Sequence, residues 1–368
     1  MTFMLIMSKN DNNASMNWQE SLIRWFSGNH REMPWRWTGD PYDVLVSEFM
    51  LQQTQVATVI PYFHRWKHVF PDIGSLARAD ESEVLKLWEG LGYYSRARRL
   101  HECAKTVVAS GGELPGDYES LLRLPGIGSY TAAAIASLGF GQRVAVVDGN
   151  VLRVRARMLA DPSDIKGSEV KKRYFEELNE LIQDVSDVSS FNQGMMELGA
   201  LICRPREAIC VECPVRQWCL GYSSGTALEY PRKSAKVSRP CYDVSVGLIF
   251  HDGKYLILRR SPEQMLGGLW EFPGGKVEPG ETHESCVVRE VLEETGLEVD
   301  IVRKVGVVKH AYSHFGIEMH AYVCALHGSS EVVCERPWAW VEAKDFGKYA
   351  FPKANHKVFE LLKQQGVI

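Results

Sequence analysis

Hydrophobic periodicity changes once along this chain of 368 residues, and the change falls at Tyr222. Before it, apolar residues recur at helical spacing over Trp18 to Phe26, Tyr42 to Phe70, Glu81 to Trp88, Ser95 to Ala109 and Glu169 to Val185. Pro34, Pro41, Pro61, Pro71, Pro115 and Pro125 are read as the breaks between these helices. After it, Tyr242 to Phe250, Tyr255 to Arg259, Val302 to His310 and Ile317 to Ala325 alternate or cluster as strands, with one helix from about Thr282 to Glu294. The stretch between, Ser223 to Pro240, holds Arg232, Lys233, Lys236 and Arg239 and few aliphatic residues, as a solvated linker does. One layer cannot serve both periods, and the length exceeds one ordinary core, so the pattern predicts a multidomain protein, an all-α module followed by an α+β module.

With 45% hydrophobic and 24% charged residues the composition is that of a globular protein, and a net charge of -4 argues against gripping a polyanion by bulk positive charge. It leaves room for a local phosphate site, because main-chain N–H groups bind anions without basic side chains. Nine cysteines without a convincing signal peptide point to a reducing compartment. Met1 to Met7 is apolar but lacks a basic n-region and ends too early for a secretory segment, so residues 1–17 are expected to be a disordered leader. No run reaches membrane-spanning length, and the expectation is a monomer of the bacterial cytoplasm with no membrane partner.

Two segments carry chemistry in the first module. Leu124-Pro-Gly-Ile-Gly128 joins a helix over Glu119 to Leu122 to another beginning at Ser129. Its glycines would let a phosphate oxygen approach free main-chain amides, although such a turn is equally often a plain helix connection. Cys203, Cys210, Cys213 and Cys219 follow the spacing C-x6-C-x2-C-x5-C within one short segment, which suits an iron–sulfur cluster or zinc; spacing alone does not choose.

The run from Trp18 to Cys219 resembles the helix-hairpin-helix DNA glycosylase superfamily with its cluster loop. That resemblance implies a [4Fe-4S] cluster on Cys203, Cys210, Cys213 and Cys219. Within the superfamily, Ser47-Glu-Phe-Met-Leu-Gln-Gln-Thr-Gln-Val56 and Val147-Asp-Gly-Asn-Val-Leu-Arg153 are similar to the adenine-specific MutY type. The competing endonuclease III type, which excises oxidised pyrimidines, places a nucleophilic lysine after the hairpin glycines; this chain has Tyr130, which implies base removal by water. By the same resemblance Glu48 is the general acid at the base and Asp148 the carboxylate facing the sugar, with Tyr130 and Asn150 ordering them. On residue type alone, Glu48 would be a surface residue of an amphipathic helix and Asp148 the N-cap of a helix from Asn150 onward. The resemblance further implies DNA contacts by Leu124, Gly126 and Gly128, a wedge at Gln53, opposite-strand contacts by Leu91 and Tyr93, and an adenine pocket lined by Arg36.

The second module resembles the Nudix superfamily through Gly275-x5-Glu281-x7-Arg289-Glu290-Val291-x-Glu293-Glu294-x-Gly296-Leu297. Glu290 and Glu294 are four apart and share a helix face with Glu293 close by, an arrangement that calls for a cation such as Mg2+ bridging a diphosphate. The MutY type usually lacks an intact box. Here Gly268 to Lys276 and Phe351 to Asn355 are similar to MutT-type 8-oxo-dGTP hydrolases, in which the residue matching Asn355 reads the oxidised base. His310-Ala-Tyr-Ser-His314 resembles the lesion-recognition loop, with Tyr312 in place of phenylalanine beside Ser313 and His314.

Together these readings predict a DNA glycosylase over 18–222 with its cluster loop at 203–219, a linker over 223–241 and a Nudix-like 8-oxoguanine recognition domain over 242–368. The expected partner is duplex DNA with adenine opposite 8-oxoguanine or guanine. Alternatives are an added hydrolysis of free 8-oxo-dGTP with Mg2+ at the box, an endonuclease III-like pyrimidine glycosylase, and a non-catalytic lesion-binding protein.

Overall fold

The computed structural model describes residues 17–232, 239–312 and 315–368. In chain order the helices of the first part are α1 (Trp18–Asn29), α2 (Pro41–Leu51), α3 (Val56–Val69), α4 (Ile73–Arg78), α5 (Glu81–Trp88), α6 (Ser95–Ala109), α7 (Tyr118–Leu121), α8 (Ser129–Ala134), α9 (Gly149–Met158), α10 (Ser168–Leu181), α11 (Val188–Leu201) and α12 (Leu220–Ser223). The second part runs β1 (Cys241–His251), β2 (Lys254–Arg259), β3 (Trp270–Glu271), β4 (Gly274–Lys276), α13 (His283–Thr295), β5 (Val299–Ala311), β6 (Gly316–Leu326), β7 (Trp338–Val341) and α14 (Lys353–Gln364).

The helical run read over Tyr42 to Phe70 is two helices, divided near Gln53 and not at Pro61. Gln53 adopts the left-handed region at φ 57°, which ends α2 without any glycine to announce it. Pro41 opens α2, at the position where its missing N–H is not needed, and Pro61 lies inside α3 without ending it. Helix α11 was not expected: it is buried on nearly every side, from Val188 to Gly199, with Ser190, Asn192, Gln193 and Glu197 among the buried residues, so apolar residues do not mark its period.

By its own packing the chain divides into two units, Met1–Glu48 with Leu114–Ala235, and Phe49–Glu113 with Lys236–Ile368. These borders differ from the sequential ones over 18–222 and 242–368, because α3 to α6 belong with the sheet. In the first unit α9 and α11 share a core of Val151, Val154, Phe191, Met195 and Leu198, and α1 adds Leu22. Gly194 of α11 admits Leu22 so closely that a Cβ would stand 3.2 Å from its Cγ.

In the second unit the sheet has the order β3-β2-β1-β6-β5, with β4 on β1 and β7 on β2. Strands β1 and β6 are parallel, in register from Cys241↔Gly316 to Phe250↔Ala325. Alternation of side chains gives each face its own core. One gathers Phe272, Phe346, Phe351 and Phe359 with Val358 of α14; the other gathers Ile249, Leu256 and Tyr322 with Val287 and Val291 of α13. A Thr282–Ser285 capping box starts α13, and Gly296 at φ 70° ends it. Within this unit Lys86 Nζ donates to Tyr349 O at 2.9 Å and Arg98 Nη1 to Pro262 O at 2.7 Å, tying α5 and α6 to the sheet module.

Candidate active site

Helix α2 is buried along its whole length from Tyr42 to Met50, so Glu48 has no solvent face, and it is only 5% exposed. Burial pushes its carboxyl up to about 7; the Tyr130 hydroxyl opposes this, and the charge of Asp148 adds to it. One carboxylate oxygen, Oε2, has no hydrogen-bond partner among the described residues. Tyr130 stands beside it on α8 with its hydroxyl 3.8 Å from Met196 Sδ, and burial together with the charges of Glu48 and Asp148 holds the phenol in its neutral form.

Asp148 caps α9. Its Oδ1 accepts from Asn150 N and Val151 N, both at 2.8 Å, and its Oδ2 accepts from Asn150 Nδ2 at 2.7 Å. Burial raises its pKa, against these three donors and the Arg153 charge, which favour the ionised form. The capping and catalytic readings of Asp148 are therefore compatible, since the cap uses its oxygens to fix the carboxylate in place. Asn150 is fixed in turn, its Oδ1 accepting from Arg153 Nη2 at 2.8 Å. Where α11 passes, Gly199 lies so close that a Cβ would meet Asn150 Cβ at 2.6 Å. Arg153, missed in the sequence, also donates to Gly199 O at 2.7 Å and Cys203 O at 2.8 Å.

The four cysteines Cys203, Cys210, Cys213 and Cys219 line one cavity. Arg157, one turn beyond Arg153, points Nη1 at Cys203 Sγ, 3.3 Å away, and donates to Arg204 O at 2.7 Å. Soft thiol donors at the ends of loops, with a guanidinium beside them, suit an anionic sulfur-ligated cluster. Among the described residues no group of three or more His, Cys, Asp or Glu side chains is arranged to hold a metal ion.

In the hairpin, Gly126 takes φ 75° and Gly128 caps α8 in an extended conformation. Gly126, Gly128 and Ser129 are exposed, Leu124 is half-buried, and Ile127 anchors the turn in the core. A second exposed pair lies in the other unit. Gln53 and Tyr93 both have positive φ, 57° and 49°, conformations that cost a non-glycine residue about 1 kcal/mol or more. Arg96, only 6% exposed, fastens both loops. Its Nη1 donates to Phe49 O and Met50 O at 2.8 Å and to Gln52 O at 2.6 Å, and its Nη2 reaches Thr54 Oγ1, Leu91 O and Gly92 O at 3.1–3.3 Å. The pattern of residues gave no signal for this role. Arg36 is buried on Glu197, with Nη2 at 3.2 Å from Oε2, and donates to Arg31 O at 2.8 Å.

In the sheet module, Leu91, Tyr93, His310 and Tyr312 line one cavity of about 480 Å³. Tyr312 also borders a second, of about 540 Å³, with Gly275, Glu290, Glu294 and Asn355. Asn355 is 3% exposed. Burial pushes the Tyr312 phenol up to about 12. Ser313 and His314 lie outside the described residues. Arg289 binds Glu281 through two bonds of 2.8 and 2.9 Å, Glu290 at 2.9 Å and Glu293 at 3.2 Å. Burial raises Glu294 to about 7 despite the charge of Arg336.

Residues 46–182 match the HhH-GPD superfamily of base excision DNA repair proteins, and residues 245–361 match the NUDIX domain. Fold and site thus define a base-excision DNA glycosylase with a C-terminal Nudix domain. The adenine DNA glycosylase of Homo sapiens is 34% identical, covering 94% of this chain and 74% of that one. That of Buchnera aphidicola subsp. Schizaphis graminum is 30% identical, covering 93% and 97%. A solved thermostable thymine-DNA glycosylase is 28% identical with a TM-score of 0.50, over 56% of this chain and 95% of that one. The chain belongs to the adenine DNA glycosylase family of the MutY type: it is a base excision repair enzyme that acts on DNA. Among the described residues no helix is long and apolar enough to cross a membrane.

Proposed function

We propose that this enzyme hydrolyses the N-glycosidic bond of adenine opposite 8-oxoguanine, or opposite guanine, in duplex DNA and makes no strong lyase cut. The observation that carries the reading is the burial of Glu48 beside Tyr130 and Asp148, with the Glu48 carboxyl raised to about 7. Adenine flipped from the stack takes a proton from Glu48 as the C1′–N9 bond breaks and its electrons pass to the base. Water then adds to C1′ and returns a proton to Glu48. Asp148, oriented by Asn150, sets negative charge against the oxocarbenium-like sugar. Tyr130 offers no amine for a Schiff base.

Recognition outside the catalytic pocket follows the same family pattern. Leu124, Gly126 and Gly128 seat a phosphate, Gln53 wedges into the stack, Leu91 and Tyr93 contact the opposite strand, and Tyr312 and Asn355 read the oxidised base. The placement of Leu91, Tyr93 and Tyr312 on one cavity supports this assignment. Arg36 acts at the adenine only through the Arg31–Glu197 pair that buries it. Following the family pattern, Cys203, Cys210, Cys213 and Cys219 hold a [4Fe-4S] cluster, which would cross-link the loop; their lining of one cavity supports a four-thiolate site. Single-turnover release of adenine from an adenine:8-oxoguanine duplex tests the reading. Release by the wild type and none by Glu48→Gln, with binding retained, is expected; a wild type that releases no adenine sinks it.

A second reading adds hydrolysis of free 8-oxo-dGTP, because the box residues Glu290 and Glu294 share a cleft with Asn355. Pyrophosphate release in the presence of Mg2+ by the full chain, compared with Glu293→Gln, decides it.

A further inference from the structure

The cleft that Glu290 and Glu294 of the box share with Asn355 is lined by three carboxylates, Glu271, Glu290 and Glu294, and by three cations, Arg260, Lys276 and Arg336. With all three carboxylates ionised their formal charges balance. Arg336 stands between two of the carboxylates, with Nη2 2.7 Å from Glu294 Oε1 and Nη1 3.2 Å from Glu271 Oε1. Arg260 is paired with the second oxygen of Glu271, and Gly274 N donates to Glu294 Oε2 at 3.0 Å. Arg336, Glu294 and Glu271 are 15%, 21% and 13% exposed, so these pairs are screened little by water. Oε2 of Glu294 thus accepts from Gly274 N, and Oε1 lies in ion-pair contact with Arg336 without hydrogen-bond geometry, before any ligand arrives.

A divalent cation on Glu294 would need a carboxylate oxygen in direct coordination. It would stand within a few Å of a guanidinium that cannot lose its proton, and the repulsion between them is large in a half-buried cleft. We infer that Arg336 takes the place of a divalent cation in this cleft, so that the folded chain carries no Mg2+ on Glu294 and a metal site opens there only when Arg336 is removed. On this inference the wild type does not hydrolyse 8-oxo-dGTP, against the second reading above, and the intact box is a latent hydrolytic site in a domain that, on the proposed function, receives the oxidised base without metal. The distinguishing residue lies outside the box, in the bend that precedes β7.

Electron paramagnetic resonance of free Mn2+, followed while full-length protein is titrated, tests the inference. Arg336→Met is expected to bind Mn2+ roughly tenfold or more tightly than the wild type, and the double variant Arg336→Met with Glu294→Gln is expected to lose that gain. Mg2+-dependent release of pyrophosphate from 8-oxo-dGTP should appear in Arg336→Met alone. A wild type that binds Mn2+ as tightly as Arg336→Met overturns the inference, as does a double variant that keeps the gain. Should Arg336→Met not fold, the wild type and Glu294→Gln decide: equal Mn2+ binding supports the inference, and tighter binding by the wild type overturns it. None of these readouts depends on whether adenine is released.

Discussion

The guanidinium of Arg153 is hydrogen-bonded to the main-chain oxygen of Cys203, Nε to O at 2.8 Å. The same group holds Asn150 Oδ1, and Asn150 holds Asp148. Three consecutive hydrogen bonds thus join the first cysteine of the loop to the carboxylate assigned to the sugar.

Arg153→Met should break this chain at its centre and strand buried acceptors, for a loss on the order of 3 kcal/mol. Denaturant unfolding measures that loss, and single-turnover adenine release should slow with it. Arg153→Lys keeps the charge but not the fork, so it should recover only part of either. Unchanged rates in Arg153→Met would separate Asn150 orientation from catalysis.

Glu48→Gln should lose adenine release by roughly 10²-fold or more and yet be more stable than the wild type above neutral pH. The folded carboxyl is raised from 4.5 to about 7. Between those values the native state holds a proton that the unfolded chain has given up, so wild-type stability falls as pH rises through this window. The full penalty, on the order of 3 kcal/mol, is present above it. Thermal unfolding of both proteins at pH 5 and pH 8 checks the sign: the advantage of the variant should be larger at pH 8. Activity that needs the protonated acid should decline across the same upper limb.

Arg96→Met removes the common donor of six acceptors, at the end of α2 and in two loops. A destabilisation of about 3–5 kcal/mol is expected, together with weaker binding to an adenine:8-oxoguanine duplex in equilibrium titrations. Binding equal to wild type in a folded variant would show that the loop conformations do not need this guanidinium.

Gly199→Ala places a methyl group 2.6 Å from Asn150 Cβ, so α9 and α11 must move apart. Overpacking of this kind costs about 1–3 kcal/mol. Gly28→Ala, where a Cβ meets nothing within 4 Å, is the matched control in the same denaturation series.

Much of this was legible in the sequence, and what was missed has a physical pattern. The change of period at Tyr222, the hairpin and the box sit on short-range spacing that needs no tertiary knowledge. Glu48 could be placed on a helix but not inside the protein, because burial on every side of α2 depends on neighbours distant in the chain. The end of α2 was hidden since Gln53 takes a glycine-like conformation under tertiary constraint. Arg96, Arg153 and Arg336 were passed over for a common reason. Arg96 and Arg153 act largely through main-chain oxygens, and Arg336 through glutamates far off in sequence; such partners leave no mark on local pattern. The packing of α3 to α6 with the sheet was likewise unreadable, as sequence order suggests that contiguous segments fold together.

Because Arg96 fixes the Gln53 and Tyr93 loops while the protein folds, their conformational search is over before a duplex arrives. The entropy of ordering them is charged to folding, leaving association limited by orientation and by opening of the DNA. An enzyme built this way can sample undamaged sequence with brief, rigid encounters, and its selectivity then rests on how readily each base pair yields.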